Sequence, residues 1–151
     1  MKASLNRVSR ARPRWLSAAW FARVEEAAAG LRPAREAVNV VIVDDREIRR
    51  LNRRYRGKDK PTDVLSFSYR DDPGPRDGTA GDIYVSLDTL ARDARRLGVD
   101  VSHLALRIVV HGMLHVIGYD HENDADAARM ERRERAVLKR ILPAADVRKL
   151  F

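Results

Sequence analysis

The chain has no cysteine among its 151 residues. Disulfide staples are therefore excluded, and so is a zinc finger or ribbon built on thiolates. No stretch approaches the roughly eighteen consecutive apolar residues of a membrane-crossing helix. The basic segment from Met1 to Arg14 lacks the apolar centre of a secretory signal. These absences lead us to expect a reducing, cytoplasmic setting and no membrane partner. Internal repeats, coiled-coil heptads and a separate linker are missing too. A chain of this length is expected to form one domain, residues 1–151, whose core needs no covalent support.

Charge is abundant. Thirty Lys and Arg outweigh 22 Asp and Glu, for a net charge of +8, which suggests a polyanionic partner. Between Arg46 and Lys60 stand eight basic residues and two acidic ones, so most of the excess is local. Arg46, Arg49, Arg50, Arg53 and Arg54 read as the solvated face of a helix.

Periodicity sets out the elements. A short strand is expected at Leu5 to Val8 and an amphipathic helix at Arg14 to Ala29, its tryptophans in the core. The β-branched run Val38 to Val43 reads as a buried strand. Asp44 followed by Glu47 resembles a capping box opening a helix through Ile48, Leu51 and Tyr55. In Thr62 to Tyr69, Leu65, Phe67 and Tyr69 alternate with Ser66 and Ser68, the pattern of a half-buried strand. Arg70 to Gly81 reads as a loop, Gly81 to Ser86 as a strand and Asp88 to Leu97 as a helix. A helix capped by Ser102 follows, with His103 in its first turn. A last helix, capped by Asp124, ends before Pro143. The expected fold is α+β: a mixed sheet of about four strands, with a hairpin across the Pro/Gly loop, packed with about five helices.

Three of the four histidines fall within eleven residues, His111-Gly-Met-Leu-His115-Val-Ile-Gly-Tyr-Asp-His121. Residues four apart on a helix share a face, so His111 and His115 point the same way. Gly118 can take the left-handed conformation that stops a helix and turns the chain, bringing His121 back. Three imidazoles with no fourth protein ligand describe a catalytic zinc-type site with an open position. Asp120 could orient a ligand or cap the turn, and the spacing leaves both open. The histidine spacing is that of the metzincin proteases. The Glu that serves as their general base is replaced by Gly112, which argues against peptide hydrolysis by that route.

A second stretch, Tyr55-Arg-Gly-Lys-Asp-Lys-Pro-Thr-Asp-Val-Leu-Ser-Phe67, sets Arg56 past the helix in a loop shaped by Gly57 and Pro61. An arginine there suits a phosphate clamp, though spacing alone also allows a solvated charge. Lys58 and Lys60 are candidate substrate contacts in the same loop.

Together the two stretches resemble the YbeY family of bacterial endoribonucleases. The histidine run is similar to that family's H-G-x-L-H-L-x-G-Y-D-H, with Val116 for Leu. Gly81-Asp82-Ile83, Met130 and Glu134 also fall where the family has them. The likeness extends from about Leu51 to Leu138. It implies zinc at His111, His115 and His121, with Arg56 catalytic. It also implies single-stranded RNA rather than DNA as substrate, and a role with the ribosome in maturation of ribosomal RNA, notably the 3′ end of 16S rRNA, and in quality control. Two other readings stay open: a hydrolase of another substrate such as a peptide, and a ribosome assembly factor in which the metal only staples a loop.

Overall fold

The β-branched run becomes the interior strand its composition predicts, because Val38, Val40 and Ile42 are fully buried on one side and Val43 on the other. The computed structural model describes residues 1–31, 36–71 and 78–151. Among these, four strands form one sheet: β1 (Lys2–Arg7), β2 (Ala37–Val43), β3 (Val64–Ser68) and β4 (Thr79–Ser86). Their spatial order is β1-β2-β4-β3, with β1, β2 and β4 parallel and β3 antiparallel to β4 at one edge. Six helices complete the α+β fold: α1 (Ala18–Leu31), α2 (Asp45–Arg56), α3 (Leu87–Leu97), α4 (Val101–Val116), α5 (Asp124–Ile141) and α6 (Ala144–Lys149).

The main core lies between one face of the sheet and α1, α4 and α5, while α2 covers a smaller patch on the other face through Ile48 and Leu51. Helix α4 is central, touching β3, β4, α1, α3 and α5. Leu106, Met113 and Leu114 are fully buried on it. At about 1.5–3 kcal/mol for each such side chain, their burial fixes α4 firmly against the sheet. No single helix is long and apolar enough to cross a membrane.

Several expectations are corrected. Helix α1 starts at Ala18 rather than Arg14, because the Ser17 hydroxyl accepts from Trp20 N (3.2 Å) at its first turn. Trp20 is buried as expected, and its indole donates to Ser102 O (3.0 Å). Asp100, not Ser102, caps α4, and Asn123, not Asp124, caps α5. Asp44 caps α2 by accepting from Glu47 N, but the Glu47 carboxylate turns to Arg50 (2.7 Å). The loop after β3 is shorter than expected, since pairing with Ala37 draws Thr79 into β4. Residues 72–77 of that loop lie outside the described residues. The sixth helix, α6, follows Pro143 and buries Val147.

The serine face of β3 holds the main surprise. Ser68 Oγ donates to Val116 O (2.9 Å), and a Cβ at Gly112 would stand 2.9 Å from Ser66 Oγ. The serines therefore face α4, and their small size lets the helix come close. Leu65 and Phe67 pack instead in the patch beneath α2.

Candidate metal centre

Helix α4 presents its polar stripe at its C-terminal end. His111 and His115 are half-buried, and their Nε2 atoms face each other at 3.1 Å. His115 Nδ1 lies 3.0 Å from Tyr119 O, so it carries the proton and donates to that carbonyl. His111 Nδ1 lies 3.4 Å from a carboxylate oxygen of Glu134, which likewise places the proton on Nδ1. Both Nε2 lone pairs then converge. Two lone pairs this close repel each other unless a cation or a shared proton lies between them, so the donor set fits a metal ion.

The turn after α4 supplies the third nitrogen. Gly118 adopts φ 106°, a conformation closed to most L residues, and its N–H bonds His115 O (3.0 Å). The chain doubles back and His121 stacks with His111, ring centroids 6.1 Å apart. One ligand nitrogen from each of the three histidines lies within 4.8 Å of the others. His121 is exposed, which leaves the group open to solvent. The Asp120 carboxylate accepts from the following His121 N–H (2.7 Å) and also acts electrostatically on His115. Burial first, and then the neighbouring His111 and His121, hold the His115 imidazole below its ordinary pKa, which favours the neutral form that a metal needs.

Gly112, between the first two histidines of the group, faces the sheet. A Cβ there would stand 2.7 Å from Ile83 Cγ2, so no Glu side chain fits at the metzincin base position.

The three histidines open on a cleft of about 1040 Å³ that is also lined by Arg56, Lys58, Lys60 and Arg70. Arg56 is the last residue of α2, not a loop residue past it, and Gly57 at φ 68° caps the helix. The guanidinium donates to Ser66 O (2.9 Å) and lies 5.5 Å from the Phe67 ring centroid. The side chain is thus aimed along the open edge of β3. Lys58 and Lys60 are exposed, and their loop is tied down by buried Asn52, whose Nδ2 donates to Lys60 O (2.9 Å).

Three contributors escape the sequence reading as site residues. Glu134 is 3 % exposed and 23 positions from His111, and it also pairs with Arg107 Nε at 3.1 Å. Arg70 donates to Ile117 O and packs against Gly118, where a Cβ would stand 2.7 Å from its Nη1. With Ser68 on Val116 O, it ties the C-terminus of α4 to β3. Asn52 read only as a helix residue. Local periodicity carries no signal for such cross-element contacts. For Glu134 the available hints were its place among the apolar positions of α5 and its match to the family pattern.

The family model for endoribonuclease YbeY matches residues 8–142. The "Endoribonuclease YbeY" of Anaeromyxobacter sp. is 47 % identical over 130 residues, covering 85 % of this chain and 67 % of that protein. The "Endoribonuclease YbeY" of Syntrophotalea carbinolica is 44 % identical over 108 residues, covering 69 % of this chain and 72 % of that protein. The solution structure of TM1509 from Thermotoga maritima is similar with a TM-score of 0.64 and 29 % identity, covering 91 % of this chain and 89 % of that one. With its histidine group and basic loop inside the matched region, the chain belongs to the endoribonuclease YbeY family.

Proposed function

We propose that this chain is a zinc-dependent endoribonuclease that cuts single-stranded RNA in the cytoplasm, with residues 1–151 acting as one domain. We place it in ribosomal RNA processing, at the 3′ end of 16S rRNA, and in ribosome quality control. The observation that carries the reading is the convergence of three imidazole nitrogens at the mouth of a cleft lined by four Lys and Arg side chains. The relatives' name, endoribonuclease, points to the same chemistry.

His111, His115 and His121 would hold the ion, which supplies Lewis acidity toward a phosphoryl oxygen when bound. Arg56, which lines the same cleft, would meet the charge that develops on the phosphoryl oxygens, since its planar fork can grip two of them at once. Lys58 and Lys60 hold neighbouring phosphates as point charges. Position 112 has no base and no room for one. RNA carries its own nucleophile, a 2′-hydroxyl beside each phosphate; its oxygen bonds to phosphorus as the P–O5′ bond breaks, the 2′-hydroxyl gives up its proton and the departing 5′-oxygen takes one, which relieves the protein of positioning a water. The same gap at position 112 disfavours the peptidase reading.

Elemental analysis of protein purified without a histidine tag identifies the metal. Cleavage of a defined single-stranded RNA by wild type, His111→Ala and Arg56→Ala tests the assignment. Both variants should stay folded and lose cleavage. A 2′,3′-cyclic phosphate end supports internal attack, and a 3′-hydroxyl end supports water. A wild-type protein that never cuts RNA, and that unfolds when the metal is removed, belongs to the staple reading instead.

A further inference from the structure

The last turn of α2 exposes an aromatic ring with no internal reason to be exposed. Tyr55 is 54 % open to solvent, one of three large hydrophobic side chains this exposed among the described residues. Its ring meets Phe67 edge to face at 5.2 Å, and Phe67 meets Tyr84 the same way at 5.8 Å. Tyr55 is thus the outer end of an aromatic row that runs into the sheet through Phe67 and Tyr84. Arginines flank it in sequence, Arg54 lies over one side of its ring, and Arg56 lies over the neighbouring Phe67 ring. The Arg54 guanidinium lies 5.3 Å from the Tyr55 centroid, and that of Arg56 lies 5.5 Å from the Phe67 centroid.

The topology connects this row to the metal cleft. Strand β3 is the free edge of the sheet, with Ser66 facing α4 and Phe67 facing the other way. Arg56 lines the cleft, bonds Ser66 O and touches the Phe67 ring, so this one cation spans the edge between the two faces. An exposed aromatic ring with a free side, next to planar cations, suits an unpaired nucleobase and its phosphates.

We propose that Tyr55 is a base-stacking subsite that receives an unpaired nucleobase, while Arg54 and Arg56 hold the flanking phosphates of a strand that continues over the β3 edge into the cleft. The inference rests on the nuclease reading and names the source of its preference for single strands. A base inside a duplex has both faces covered and cannot enter.

The test is an anisotropy titration of a short labelled oligoadenylate, with a matching strand of abasic riboses, on metal-chelated wild type, Tyr55→Ala and Tyr55→Phe. Tyr55→Ala should weaken oligoadenylate binding about five-fold or more, a stacked base being worth that much. Tyr55→Phe should bind as wild type does, and the abasic strand should not distinguish the three proteins. Equal loss of both strands in Tyr55→Ala, or no loss of either, overturns the subsite. If Tyr55→Ala fails to fold, wild type decides alone: equal affinity for the intact and abasic strands overturns it. A wild type that neither binds nor cuts RNA refutes the nuclease reading itself, which separates the two failures.

Discussion

Glu134 Oε2 lies 3.4 Å from His111 Nδ1, linking the middle of α5 to the first metal-site histidine on α4. The carboxylate is buried, and Arg107, whose side chain is 29 % exposed, balances its charge at 3.1 Å. An acceptor in this place fixes the imidazole tautomer and its orientation, and raises the basicity of Nε2. Replacing Glu134 with Gln keeps the size but weakens the acceptor. Metal affinity, measured by competition with a chromophoric chelator, should fall by roughly ten-fold or more. Unchanged affinity would show that Glu134 serves only Arg107.

Gly112 lets α4 sit directly on the sheet. A methyl group there meets Ile83 Cγ2 at 2.7 Å and Ser66 Oγ at 2.9 Å, and Ile83 is fully buried. Ala in place of Gly gains about 1 kcal/mol of helix propensity, but overpacking costs about 1–3 kcal/mol. Gly112→Ala should therefore lower stability in urea melts. Gly81→Ala should cost more, because its new Cβ meets the Phe67 carbonyl at 2.3 Å, and backbone yields less readily than a side chain.

The His115 imidazole is held below its ordinary pKa by burial and by its histidine neighbours. As pH falls past the unfolded value of about 6.5, the unfolded chain takes up the proton first. Stability of the metal-free protein is therefore full above that pH and declines as pH drops through the lowered folded value. Urea midpoints of chelated protein between about pH 8 and pH 5 should show this decline, and His115→Phe should flatten it. A midpoint that rises on acidification would contradict the assignment. Metal retention should weaken in the same direction, because protons compete for the same nitrogens.

Binding of single-stranded RNA should depend steeply on salt. Each phosphate neutralised contributes a slope of about −0.7 in log affinity against log salt, so the three cleft cations assigned to phosphates, Arg56, Lys58 and Lys60, give about −2. Lys58→Ala and Lys60→Ala should each reduce the slope by about 0.7 at little cost to the fold, both side chains being exposed. A slope unmoved by either change would place the strand elsewhere.

The three histidines were legible from the chain alone because everything that gathers them is local. Helical spacing aligns His111 with His115, and one glycine turns His121 back within three residues. Most element types followed from periodicity for the same reason, α6 excepted, and several errors fell at caps such as Asp100 and Asn123, where neighbouring Asp, Ser and Asn compete for the same free N–H groups. Tertiary structure alone decided which layer covers each sheet face. Alternation in β3 marks two faces but cannot say that the serine face lies against a helix. It also decided the strand order, the meeting of Glu134 with His111, and the placing of Arg56 at the edge of β3 beside the metal cleft. These are contacts between segments distant along the chain, and they are set by how whole elements pack rather than by any residue's near neighbours.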